Sequence, residues 1–239
     1  MQPGVTPGAV LELHAARANK GLSNGSNASA NRAQWWDTSG SGNHGTLTNF
    51  AYTTASGWVT DPARLVLDGS NDYVACGDLS VAEDKTFTYE AWVVHSGAAS
   101  GDVEGLIGEG NSASGNPFGA IYIGTYGAYA GHVGCRLRDD LGTDRDVFAT
   151  GTTILNGAPH HIVGTCDGSL VRVYLDAAAI GTPDAPGGGS VTLNRATVGC
   201  RVRNVYEKYC SGSILVARIY PFALTPEQVA ANFAAGYEW

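Results

Sequence analysis

Four groups of residues in this sequence have types and spacings that could do chemistry. Glu104 and Glu109 come nearest to a carboxylate pair. Glycoside hydrolysis by the retaining route needs two carboxyl groups on one face, about 5 Å apart, one as acid and one as nucleophile. These two instead flank the apolar Leu106–Ile107 and read as strand-end charges. His160 and His161 are adjacent, so on a strand their rings point to opposite faces and cannot chelate one ion together. One is expected inward and hydrogen-bonded, the other outward. Asp68 and Asp72 bracket a tight turn with Asn71. Hard oxygen ligands so placed would hold calcium, yet Asp and Asn also bond the backbone of such turns with no ion present.

The fourth group is a recurrence. Val133-Gly-Cys-Arg-Leu-Arg138 returns as Val198-Gly-Cys-Arg-Val-Arg203. On a strand each copy sets its Val, Cys and Leu or Val on one face and its two arginines on the other. If both lie on the same sheet face, Arg136, Arg138, Arg201 and Arg203 form a basic patch fit for a carboxylate, a phosphate or a partner's acidic surface. The alternative is local pairing with Asp139, Asp140, Asp144 or Glu207. No nucleophile elbow, zinc-protease helix motif or P-loop occurs, and there is no CxxC.

These residues must be carried by strands. Among 239 residues, 33 are glycine and only 15% are charged, a composition suited to an all-β chain with many turns. At 44% hydrophobic the chain can build a core. Thr86–Val94 is the clearest strand: Phe87, Tyr89, Ala91 and Val93 share one face, Thr88, Glu90, Trp92 and Val94 the other. Large apolar groups on both faces predict a central strand covered on both sides. Further strands are expected over 9–14, 64–68, 72–76, 106–107, 120–123, 132–138, 146–148, 160–166, 170–176, 190–193, 196–203 and 213–220, with long loops over 19–34 and 183–189. One helix is legible after Thr225: that residue is the N-cap, Pro226 sits at N1, and Gln228 at N3 completes a capping box. Leu224 packs on Val229 as a staple, and Gly236 ends the helix.

Charge and cysteines bound the partners. A net charge of −8 opposes phosphate neutralisation, so no nucleic acid is expected. No apolar run approaches the ~20 residues that cross a bilayer. Met1-Gln2-Pro3-Gly4 reads as no secretion signal, so the chain stays where it is made, leaves by another route, such as release inside a virus particle, or has had a signal trimmed from it. In that setting Cys76, Cys135, Cys166, Cys200 and Cys210 are expected as buried thiols.

Leu65-Val-Leu-Asp-Gly-Ser-Asn-Asp-Tyr-Val74, Phe87-Thr-Tyr-Glu-Ala-Trp-Val93, His160-His-Ile-Val-Gly-Thr-Cys-Asp-Gly168, Val173-Tyr-Leu-Asp176 and Leu224-Thr-Pro-Glu-Gln228 occur in that order. In this the chain resembles the laminin-G-like, concanavalin A-like lectin and glucanase domains over residues 64–235. The stretch Trp36–Leu47 resembles a leader found before such domains in bacterial and phage proteins. The resemblance implies an all-β, two-sheet antiparallel jelly-roll sandwich with one short C-terminal helix, filling residues 1–239 as a single domain. Glycosidases of that fold carry a Glu-x-Asp-x-x-Glu run, which this chain lacks, so no enzyme is expected. Leu215 and Val216 stand where such domains often carry Asp and Glu, which removes acidic groups that help hold calcium. Two functions fit. One is a structural and adhesive protein of a phage virion, a capsid decoration or tail module docked on other subunits or on itself. The other is a carbohydrate-binding lectin of a bacterial surface or secreted protein, extracellular, with the exposed ones among Trp35, Trp36, Tyr126 and Tyr129 stacking on cell-surface glycan.

Overall fold

The computed structural model describes residues 4–97, 103–124, 130–149 and 154–237. Two antiparallel sheets face each other. The first contains β1 (Leu11–His14), β4 (Gly57–Thr60), β5 (Ala63–Val66), β7 (Thr86–Val94), β12 (Pro159–Asp167), β13 (Val171–Leu175), β14 (Ala178–Asp184) and β18 (Ser213–Tyr220). Its order is β14-β13-β12-β7-β18-β5-β4, with β1 also paired to β18. The second contains β2 (Gln34–Trp35), β3 (Gly45–Thr48), β6 (Tyr73–Gly77), β8 (Val103–Gly110), β9 (Phe118–Gly124), β10 (Val133–Arg138), β11 (Asp144–Ala149) and β15 (Arg195–Val198), ordered β11-β10-β9-β8-β15-β6-β3-β2. A separate hairpin joins β16 (Arg201–Val202) to β17 (Tyr206–Glu207). This is the expected concanavalin A-like two-sheet jelly roll, closed by one helix, α1 (Pro226–Ala235).

Alternation decides what each sheet buries. Phe87, Tyr89, Ala91 and Val93 of β7 enter the core between the sheets, with Ile121, Cys135, Ile162 and Ile214 around them. The outer face of β7 is covered as well, by α1. Trp92 packs there with Leu215 and Val216, and its ring stacks on Phe233 at 5.5 Å. A register shift between Ile214 and Val216 against β7 inserts one extra residue, which brings Leu215 and Val216 into the same outer cluster.

The same covered face holds a sealed charge network. Arg218 donates to Glu90 at 2.6 Å and to Glu12 at 2.9 Å; Asn232 of α1 donates to the other Glu90 oxygen at 2.7 Å. His161 lies 3.1 Å from Glu90. Burial penalises the Glu90 carboxylate, but Arg218, His161 and Asn232 outweigh that and hold its pKa at about 2. Both histidines of the pair are therefore sequestered: His161 under the helix, and His160 against Asp176 at 2.7 Å, 8% exposed. The outward histidine expected from the sequence points into this network because α1 roofs that face.

The helix forms as its sequence dictates. Thr225 accepts from the Gln228 amide at 3.3 Å and the Gln228 side chain accepts from the Thr225 amide at 2.9 Å. Leu224 and Val229 are buried together, and Gly236 turns the chain away with φ 72°. Elsewhere the expectations need correction. Residues 190–193 form no strand, and β14 occupies 178–184, partly inside the loop expected over 183–189. The run expected as one strand over 196–203 breaks at Gly199, whose φ of +88° favours glycine and where an added Cβ would meet the Leu67 side chain at 2.1 Å.

Candidate binding cleft

The outer face of the second sheet owes its shape to glycines. In β8, Val103-Glu-Gly-Leu-Ile-Gly-Glu-Gly110, a register shift between Gly105 and Ile107 puts Gly105, Gly108 and Gly110 on the outside. A Cβ at Gly105 would lie 2.2 Å from the Arg201 amide nitrogen, and one at Gly110 2.3 Å from the Val202 carbonyl oxygen. With no side chains there, the β16–β17 hairpin lies directly on β8. Beside the glycines, the register aligns Tyr122, Ala120 and Phe118 of β9, and beyond them Gly134, Arg136 and Arg138 of β10. Gly134 is bare for a similar reason: a Cβ would meet the Tyr122 ring at 2.3 Å.

The result is a narrow cleft. Ala120 is its floor, Tyr122 and Phe118 flank the floor, Arg136 forms one wall, and Arg201 of the hairpin forms the other, with Lys208 alongside. The Arg136 guanidinium lies 5.6 Å from the Tyr122 ring centroid; Arg201 and Arg203 lie 5.3 Å and 5.9 Å from that of Phe118. Asp146, opposite Arg136 in the β10–β11 pair, bonds the Arg136 guanidinium and accepts from the Tyr122 hydroxyl at 2.8 Å. Glu207 lies 3.0 Å from Arg201 and also pairs with Arg203. Arg138 donates to the Gly142 carbonyl at 3.3 Å.

The recurrence thus does bring Arg136, Arg138, Arg201 and Arg203 to one face, but by two routes. The first copy is strand β10; the second is a strand end, a glycine turn and a hairpin. Nor do they form a flat outward patch. The Arg136 and Arg201 side chains keep only 20% and 14% of their exposure and lie across the sheet on aromatic rings. Pairing runs to Asp146 and Glu207, whereas Asp139 is occupied by the amides of Leu141, Thr143 and Gly189. Burial works against the charge on Arg136, but Asp146 prevails and raises its pKa. For Arg201, burial is joined by the neighbouring Arg203 and Arg136, and its pKa falls in spite of Glu207.

Asp68 and Asp72 both bond the backbone of their own turn. Asp68 accepts from the Ser70 amide at 2.8 Å, and Asp72, buried, accepts from the Asp68 amide at 3.1 Å. Burial raises the Asp72 pKa. Among the described residues no group of three or more His, Cys, Asp or Glu is placed to hold a metal ion. The turn role is seen for both residues, while Asp72 Oδ1 stays buried without a hydrogen-bond partner.

Glu104 and Glu109 are not strand-end charges. Both point inward and both are buried. Glu109 accepts from the Val81 and Ala82 amides and, at 2.6 Å, from the Tyr89 hydroxyl. Glu104 bonds His95 at 2.9 Å and the Ser211 amide at 2.6 Å. Neither lines the cleft. Of the aromatics, Trp35 is wholly buried, edge-on to Trp58 at 5.3 Å, and Trp36 is half-buried, stacked on His44 at 3.9 Å. Tyr126 and Tyr129 lie outside the described residues. Sequence reading missed Phe118, Tyr122, Asp146 and Lys208. Alternation through Phe118-Gly-Ala-Ile-Tyr122 held the signal for the two rings.

The pattern of the family described as the concanavalin A-like lectin/glucanases superfamily, Laminin_G_3, matches residues 68–230. No curated protein matches the chain. Among solved structures, the receptor-binding domain of botulinum neurotoxin mosaic serotype C/D superposes with a TM-score of 0.66 at 13% identity, over 96% of this chain and 51% of that one. The chain therefore spans about half the length of that domain. The CBM40 of Ruminococcus gnavus IT-sialidase superposes with a TM-score of 0.56 at 16% identity, over 70% of this chain and 95% of that one. The same CBM40 bound to α2,3-sialyllactose gives 0.54, at the same identity and coverage. At such identities the likeness is one of fold.

Proposed function

The chain belongs to the concanavalin A-like lectin/glucanase superfamily, and from that premise we propose that it is a non-enzymatic, lectin-like adhesive module whose ligand is a carbohydrate. The observation that carries this reading is the cleft over β8–β10, where guanidinium groups converge on aromatic rings in a recess walled by the β16–β17 hairpin. Polar donors arranged in a partly apolar recess are what sugar recognition uses. The nearest carboxylate pair, Glu104 and Glu109, is turned into the sandwich and committed to other donors, so the cleft has no acid–nucleophile couple. A structural neighbour bound to sialyllactose adds support by analogy.

The adhesive role suits the surface of a phage particle or of a bacterium, with a host-cell glycan as target; co-purification with virions distinguishes these carriers. The function itself is tested on a glycan array coupled to an assay for released reducing sugar. Retention without release is expected. No retention of any glycan overturns the binding role, and release that disappears in Glu104→Gln overturns the non-enzymatic one.

A further inference from the structure

We propose that the cleft between Arg136 and Arg201 is a carboxylate pocket, and that the glycan this module binds presents an acidic sugar, a sialic or uronic acid, to it. The inference rests on the lectin-like reading and narrows its ligand.

The first reason is a charge imbalance. Among the described residues, Arg136, Arg138, Arg201 and Arg203 gather at this face, against the carboxylates of Asp144, Asp146 and Glu207. The chain as a whole carries −8, so this excess is local and runs against the overall field. A second reason is an unused donor. The Arg136 Nε–H is buried and has no acceptor, although Asp146 bonds the terminal nitrogen of the same group. A buried donor without an acceptor costs free energy that an incoming anion recovers. Arg201 tells the same story: it is held beside two other guanidiniums, which together with burial lower its proton affinity. An anion between the walls relieves that repulsion.

Shape narrows the anion. The recess is tight, about 10 Å³ with Ala120 as floor, so only the tip of a small group enters it and not a length of polyanion. Nucleic acid and heparin-like chains need a basic stripe along the backbone, which one walled recess does not supply. A guanidinium is a planar fork of donors that matches a planar carboxylate in two-point contact.

The test is titration calorimetry at low salt with N-acetylneuraminic acid and with glucuronic acid, each against its methyl ester, and with a sulfated N-acetylglucosamine. The free acids are expected to bind at least tenfold more tightly than the esters. Arg201→Gln should weaken acid binding tenfold or more. Ala120→Met, which fills the floor and leaves every charge in place, should do likewise. Equal affinity for acid and ester overturns the pocket, as does undiminished acid binding by a folded Ala120→Met protein. A sulfated sugar bound as tightly as the carboxylates overturns the assignment to a carboxylate. If neutral glycans are retained on an array while acid and ester behave alike, the pocket falls and the lectin-like reading stands. If no glycan is retained, both fall.

Discussion

At the scale of single residues, burial is balanced against charge in the Arg218 neighbourhood, with a consequence for pH. His14 is 1% exposed, and burial, reinforced by Arg218 and Arg17, lowers its pKa from 6.5 to about 3. The unfolded chain therefore takes up a proton at His14 below pH 6.5 that the folded protein refuses until near pH 3. The stability due to a neutral His14 is complete above pH 6.5 and is lost as pH falls towards 3. Glu90, held at about 2 against a usual 4.5, adds a second loss at the acid end of that range. Melting curves should show the transition temperature falling by several degrees between pH 7 and pH 5. In His14→Gln that part of the slope should flatten, while the fall below pH 4.5 persists. An unchanged slope between pH 7 and pH 5 would assign the proton uptake to another group.

At the scale of elements, the hairpin on β8 depends on a bare strand. Gly105→Ala should cost about 1–3 kcal/mol, as overpacking in a closed site does, because the new carbon meets backbone and not a movable side chain. Gly188→Ala is the control: nothing lies within 4 Å of its Cβ position. Thermal melts should separate the two by several degrees, and equal melting temperatures would show that the hairpin shifts at little cost. This element also marks where reading the sequence stops. The 86–94 alternation and the Thr225–Gln228 cap are local signals, and both describe the structure well. The faces of Glu104 and Glu109 are not local. They depend on a one-residue shift between Gly105 and Ile107, which reverses alternation and which nothing in Glu-Gly-Leu-Ile announces. The four arginines were legible as a patch because Arg136 and Arg138 obey strand alternation. Their depth was not, since it comes from Phe118 and Tyr122 on a neighbouring strand. Asp68 and Asp72 offered two readings from one turn, and the bonds from the Asp68 and Ser70 amides show the turn role directly.

At the scale of the molecule, two sheets and a helical roof close the interior without any cross-link. All five cysteines are free and buried. Burial raises the thiols of Cys76, Cys135, Cys166 and Cys210 and lifts Cys200 to about 12. Such thiols are poor nucleophiles. A reducing agent should therefore leave the melting temperature unchanged, and alkylation should be slow in the native protein and complete in denaturant. A structural disulfide would contribute about 2–4 kcal/mol, so a drop of several degrees on reduction would reveal one.

The position of β18 has a consequence for how the protein is made. This strand lies in the middle of its sheet, between β7 and β5, and brings the guanidinium that neutralises Glu12 and Glu90 from 206 and 128 residues away. Until the ribosome has released Arg218, the nascent chain holds two carboxylates whose native burial has no cation to offset it, and a sheet with a vacant centre. Native structure cannot accumulate from the first strand onward. It must wait for β18, so cotranslational folding of this domain is deferred until that strand has emerged, when a single segment completes the hydrogen-bond ladder and the charge balance in one step.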